Sequence, residues 1–300
     1  MKTHCCRILI LITLTAWRLA AADLDRSKIE TLTGLKGTWN EAEGVFKVSQ
    51  PRNDLPVTVD GWTMPPFMGL TSWAAFVQGG TAEVMVAGDL VLLEDEVNPV
   101  MSALLDAGVA VTALHNHFFF DQPKVYFMHL GGEGTTEQMA RGVAAAFAKQ
   151  KSVRSAQRDP GKTFGSAFAP GKNAISGPAI DEILGTKGQA NNGMFKVVIG
   201  REVKAACGCP MTKEMGVNTW AAFAGTDENA IVDGDFAVLE NELQPVLKSL
   251  RHEGVNIVAI HHHMTNEEPR MLFLHYWGRG AARALAEALR NTLAAQAAVK

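Results

Sequence analysis

Apolar and polar positions along this chain fall into two alternations, one of period two and one of helical period, and the whole pattern is written twice. Short β-type runs come first, at 46–49, 57–59, 72–77 and 83–93. Pro99, Val100, Leu104 and Leu105 then recur at helical spacing, and Gly108 ends that helix. The counterpart helix starts at Gln244 and stops at Gly254. A β-branched run at 109–117, a turn at 120–123 and a run at 124–130 predict a β-hairpin. Alanine-rich helices close the copies at 136–149 and 281–298.

The duplication is explicit when residues 88–134 are written above 234–280. A constant offset of 146 without a gap gives 18 identities in 47 positions. Upstream, 29–37 resembles 180–188, and Trp73 and Phe76 correspond to Trp220 and Phe223. The expected organisation is a first repeat at 23–153, a linker at 154–178 that is rich in Gly, Pro, Ser, Ala and Lys, and a second repeat at 179–300. Strands and helices mix without strict βαβ alternation. An α+β fold is therefore expected, with two tandem pseudo-repeats, each a mainly antiparallel sheet with two helices.

Residues 1–22 are set apart. Lys2 and Arg7 precede a short apolar stretch, and Ala20-Ala21-Ala22 follows, the form of a secretory signal peptide. An exported protein, periplasmic or extracellular and without a membrane span, is expected. Apolar residues at 47 % and charged residues at 20 % describe a globular chain, and a net charge of −3 leaves no basic footprint for nucleic acid. No phosphate loop, nucleotide fingerprint or Gly-x-Ser-x-Gly elbow occurs. Beyond the leader only Cys207 and Cys209 remain, as Cys-Gly-Cys, open to a strained disulfide, a thiolate pair for a soft metal, or two buried thiols.

Six of the nine histidines fall into three matched pairs, His115/His261, His117/His263 and His129/His275. Imidazole fills a core poorly unless both nitrogens are satisfied or one holds a metal. His-x-His on a strand puts both rings on one face about 7 Å apart, close enough to share an ion. Glu267 follows His261-x-His263 in a His-x-His-x-x-x-Glu arrangement also seen in cupin metal sites, and Asp121 stands at the matching place. Counting along the hairpin pairs His275 with a residue near 257–259, some 7–17 Å along the ladder from His261 and His263. That count argues against one ion reaching all three. Glu96 and Glu242 read as helix-start residues. Glu94 and Glu240 precede the helix and are better placed as ligands or as a general base. Asp89 and Asp235 follow glycines and read as turn formers. Trp73, Trp220, Phe127 and Phe273 read as core.

With the motifs Ala113-Leu-His-Asn-His117, Phe127-Met-His129, Ala259-Ile-His-His-His263, Phe273-Leu-His-Tyr-Trp-Gly278 and Thr219-Trp-Ala-Ala-Phe223, the whole mature chain resembles the LppY/LpqO family of bacterial envelope proteins. The resemblance implies an envelope protein and carries no catalytic residue with it. The leading expectation is a divalent transition ion, zinc first, held by the His-x-His hairpins with nearby carboxylates. A metal-dependent hydrolase using Glu94 or Glu240 as base would follow if a coordination position stays open. The alternative is a non-catalytic envelope binding module for a glycan, lipid or peptide, with structural histidines.

Overall fold

The computed structural model describes residues 24–54, 56–160 and 172–299. The expected leader and residues 161–171 of the expected linker lie outside them. The first repeat forms α1 (Arg26–Thr33), β1 (Gly37–Asn40), β2 (Val45–Pro51), β3 (Thr71–Gln78), β4 (Val84–Leu93), α2 (Glu94–Asp106), β5 (Ala110–His115), β6 (Val125–Gly134) and α3 (Thr136–Ala156). The second repeats that order as α4 (Gly177–Leu184), β7 (Gln189–Asn191), β8 (Met194–Gly200), β9 (Asn218–Gly225), β10 (Ala230–Leu239), α5 (Leu243–His252), β11 (Asn256–His261), β12 (Met271–Gly280) and α6 (Ala282–Ala297). The fold is α+β with antiparallel sheet in both copies, as the pattern predicts. Each copy carries one helix more than predicted. The additional helices, α1 and α4, are eight residues long and bury chiefly Ile29 and Ile180, too little for a periodic signal.

These twelve strands join one antiparallel sheet in the order β1-β2-β3-β4-β6-β5-β11-β12-β10-β9-β8-β7. The halves meet where Leu114 of β5 lies opposite Ile260 of β11. Beyond that point both inner strands bulge, between Val111 and Ala113 and between Ile257 and Ala259. A bulge twists the edge away and leaves amides and carbonyls that need partners. They are met reciprocally from the other repeat. Asn98 of α2 accepts from the Ile257 N–H at 2.7 Å and donates to its carbonyl at 3.0 Å. Gln244 of α5 accepts from the Val111 N–H at 3.1 Å and donates to its carbonyl at 2.7 Å.

Alternation decides which face each strand residue serves. Val84, Val86, Leu90 and Leu92 of β4 and Leu274 and Tyr276 of β12 join Val100, Leu104, Val143, Val246 and Leu289 from the helices in one core that runs through both repeats. The opposite face has two smaller clusters. Val91, Leu93, Val125 and Phe127 pack with Val57 and Leu70, and Ala237, Met271 and Phe273 pack with Val203 and Val217. Short ladders cover these clusters, formed by 58–59, 62–63 and 121–122 in the first repeat and by 203–204 with 210–211 in the second.

Each strand-to-helix corner is held by the same polar set. Glu96 accepts from the Leu93 N–H at 2.9 Å and pairs with Arg52 at 2.7 Å, while Gln150 donates to the Val91 carbonyl at 2.7 Å. Glu242 accepts from the Leu239 N–H at 2.8 Å, pairs with Arg201, and receives Gln296 at 2.9 Å. The helix-start role of these two glutamates is thus joined to an arginine, buried in the first repeat and partly exposed in the second, whose sequence position gave no hint of it. Pro245 sits in the first turn of α5, whereas α2 begins earlier and carries the equivalent Pro99 inside.

Candidate metal centre

The strand of the His-x-His motif ends at its first histidine, because β5 stops at His115 and β11 at His261. His117 and His263 therefore come from the following turn, and each ring lies flat on the phenylalanine opposite, His117 on Phe127 at 3.4 Å and His263 on Phe273 at 3.5 Å between centroids. Phe127 and Phe273 are buried, as expected of core, and also serve as the platform under these rings. His129 and His275 do pair with Ala113 and Ala259, in the predicted region. The distance inferred from that pairing is nevertheless too long. His275 stacks on His261 at 4.8 Å between centroids, and His129 lies 5.1 Å from His115. Diagonal neighbours on one face of a bulged ladder approach more closely than a count along the strand suggests.

Asp89 and Asp235 correct the turn reading. Both lie inside strands, directly opposite His129 and His275 in the ladder. Asp235 is buried, and its Oδ2 stands 3.3 Å from His263 Nε2. His263 Nε2 in turn lies 3.1 Å from His261 Nε2. One ligand atom each from Asp235, His261 and His263 falls within 4.8 Å of the others, a group that could hold a metal ion. Tetrahedral ligands about 2.0–2.1 Å from zinc stand about 3.3 Å apart, so the two shorter separations suit that ion.

The surroundings fit cation binding. Among the described residues, Asp235 Oδ1 and His261 Nδ1 are buried without a hydrogen-bond partner, as is Asp89 Oδ1 in the first repeat. His263 Nδ1 faces the Gly216 carbonyl and His275 Nδ1 faces the Gly234 carbonyl, both at 3.3 Å. A proton on Nδ1 donated to a carbonyl leaves the Nε2 lone pair for a ligand bond. Gly216 takes a φ of 86°, which a side chain would strain, and so presents that carbonyl. Burial, then neighbouring His275, His263 and His262, hold His261 down to about 4, so its ring is neutral near pH 7. Burial raises the Asp235 carboxyl, against the pull of His275 and His263. In the first repeat burial and His115 lower His117, with Asp89 opposing. Among the described residues, the second repeat alone brings three ligand atoms within 4.8 Å.

The remaining acidic candidates are not brought to the histidines. Glu267 accepts from the Met271 N–H at 2.9 Å, just as Asp121 accepts from the Val125 N–H at 2.7 Å. Both close the hairpin turn. Glu94 does not precede the helix but opens it as the first residue of α2, half-buried, its pKa raised by burial and opposed by Lys124. It lines a cavity of about 300 Å3 with Asn98, Tyr126, Val258 and Trp277. Glu240 is exposed, 3.6 Å from Arg270. Trp73 and Trp220 are only partly buried, pair with Asp89 and Asp235 across the ladder, and lie under Lys47 and Lys196 at 4.2 and 4.1 Å. They wall the site instead of filling the core. The missed signal was an aspartate at matched positions within an apolar strand, where nothing but a facing polar group accounts for it.

A family model described as Domain of Unknown Function (DUF1259) matches residues 27–149 and again 178–295, and the chain belongs to that family. No curated protein matches the chain. A solved structure of a trimeric bacterial microcompartment shell protein, PduB, is 9 % identical with a TM-score of 0.20, covering 85 % of this chain and 88 % of that one, and at that TM-score the likeness carries no argument. Among the described residues no helix is long and apolar enough to cross a membrane.

Proposed function

We propose that this DUF1259-family chain is an exported envelope protein of the LppY/LpqO kind that binds a divalent transition ion, zinc favoured, through Asp235, His261 and His263, with His275 beside them. The convergence of those three ligand atoms within 4.8 Å carries the reading. Mixed imidazole and carboxylate donors suit zinc, which when bound supplies a Lewis acid and acidifies a coordinated water. The carbonyls of Gly216 and Gly234 orient the rings, Phe273 shields one face of His263, and Asp235 contributes the negative charge.

The hydrolase extension does not rest on Glu94 or Glu240, whose carboxylates stand with Lys124 and Arg270. Asp235 acts as a ligand in this reading and is not free to serve as a general base, so the proposal stops at metal binding. A second reading, binding of a small envelope ligand with structural histidines, is favoured by the cavity between α2 and β11 lined by Tyr126 and Trp277.

Metal content of the protein purified without chelator, beside a His261→Ala/His263→Ala variant and Asp235→Asn, tests the proposal. Stoichiometric zinc in the wild type, absent from the double variant and weakened at least about tenfold by Asp235→Asn, is expected. Folded, metal-free wild type in zinc-containing buffer would overturn it.

A further inference from the structure

A second chemistry lies at the tip of a hairpin that the metal reading leaves unused. Residues 203–204 pair with 210–211, and the loop between them is closed by the Ala205 N–H on the Cys209 carbonyl at 2.9 Å and the Gly208 N–H on the Ala205 carbonyl at 2.8 Å. Gly208 supplies the left-handed turn, with a φ of 78°. Nothing lies within 4 Å of the position its Cβ would take, so the tip is open to a partner. Cys207 and Cys209 are both exposed and free, and each thiol shifts the pKa of the other. Of the three alternatives for the pair, two buried thiols is excluded, and two accessible ones remain.

The hairpin below the tip is fixed. Val203 is buried, and Lys204 exchanges two backbone hydrogen bonds of 2.8 Å with Glu268. The matching hairpin of the first repeat carries Asp60-Gly61-Trp62, with no sulfur, so the pair belongs to neither the shared fold nor the duplicated histidines. Two cysteines separated by one glycine at the tip of a tight hairpin can close a disulfide, and the small ring strains that bond and makes it readily reducible.

We propose that Cys207-Gly208-Cys209 is a reversible redox dithiol that exchanges with an external disulfide. The Cys207 thiolate attacks one sulfur of the external disulfide, its S–S bond breaks, and the departing thiolate takes up a proton. Cys209 then loses its proton and attacks Cys207 Sγ in the mixed disulfide, expelling the second thiolate. The balance is two protein thiols and one external disulfide giving the Cys207–Cys209 disulfide and two external thiols. The dithiol loses the two electrons that the external disulfide gains. The hydrogen bond from Cys209 lowers the Cys207 thiol and raises its own, which gives the pair one attacking and one resolving member.

Equilibrating the full chain in glutathione buffers of varied ratio, trapping with an alkylating agent and mapping the peptides by mass spectrometry tests this. Expected are two alkylated thiols at the reducing end, an internal Cys207–Cys209 link with the loss of two hydrogens at the oxidising end, and full return on reduction. Limiting alkylation should label Cys207 over Cys209 by about an order of magnitude. Cys207→Ser and Cys209→Ser, both at exposed positions, should fold as the parent and stop at a glutathione adduct. Thiols that stay alkylatable at every ratio, a link formed only between chains, or thiols protected under reducing conditions by a bound soft metal would each overturn the assignment.

Discussion

The two repeats share their polar framework and differ in what their open faces carry. Arg52, Glu96 and Gln150 recur as Arg201, Glu242 and Gln296, and Asn98 recurs as Gln244 with the same pair of backbone partners. The histidine rings also superimpose in plan, with centroid separations of 5.1 and 5.1 Å in the first repeat against 5.0 and 4.8 Å in the second. The loops above them have diverged. In the first repeat Trp62, Phe67, Phe119 and Phe120 are exposed aromatics, whereas the second has Cys207, Cys209 and Met264 in the equivalent loops. A fixed scaffold keeps both copies foldable while the covering loops change. Among the described residues only the second copy brings three ligand atoms within 4.8 Å of one another.

That contrast breaks hardest at the corner ion pairs. Arg52 and Glu96 have side chains 4 % and 0 % exposed, against 25 % and 11 % for Arg201 and Glu242. Glu96→Ala should cost about 3–5 kcal/mol, because it removes the buried carboxylate that Arg52 and Arg154 share and leaves Arg52 only the part-exposed Asp54. Glu242→Ala should cost about 1–3 kcal/mol, since Arg201 still reaches water. Urea unfolding of both measures the gap, and equal losses would erase the distinction between the corners.

The reciprocal amides should behave alike. Asn98→Leu and Gln244→Leu each strand a backbone N–H and carbonyl, at about 1–3 kcal/mol apiece, and similar shifts in urea midpoint would confirm the symmetry. Glu267→Leu should lose about 1 kcal/mol with the turn hydrogen bond and leave bound metal unchanged. Metal lost on that substitution would return Glu267 to the ligand set.

The smallest effect is in pH. Burial pushes Glu242 up, but Arg201, the Leu239 amide and Gln296 outweigh it and hold the carboxyl below its usual 4.5. Its contribution to stability is complete above that value and disappears as pH falls through the lowered one. Acid unfolding of Glu242→Gln should therefore be flatter below pH 4.5 than that of the parent.

Local order was legible, and partners distant in sequence were not. The hairpins, the main helices and the paired histidines follow from periodicity and from the offset of 146. Acidic residues were the weak point. Glu94, Glu240 and Glu267 look like ligands, yet the last serves an amide four residues away and the other two face the basic residues Lys124 and Arg270 of their hairpins. Asp235 looks local and is the ligand candidate, because β10 carries it onto the face opposite His275. No count along a strand gives the bulge that sets His261 beside His275, or the reach of Asn98 to Ile257.

The junction between the halves is isologous. What α2 gives to β11, α5 gives back to β5, around a single opposed pair, Leu114 and Ile260. A chain of one repeat would carry both members of that handshake, the amide and the bulged edge it satisfies, and would find its complement in a second copy of itself. One chain thus carries the two-fold plan of a homodimer, and the loops of each half can differ while the junction between them stays the same.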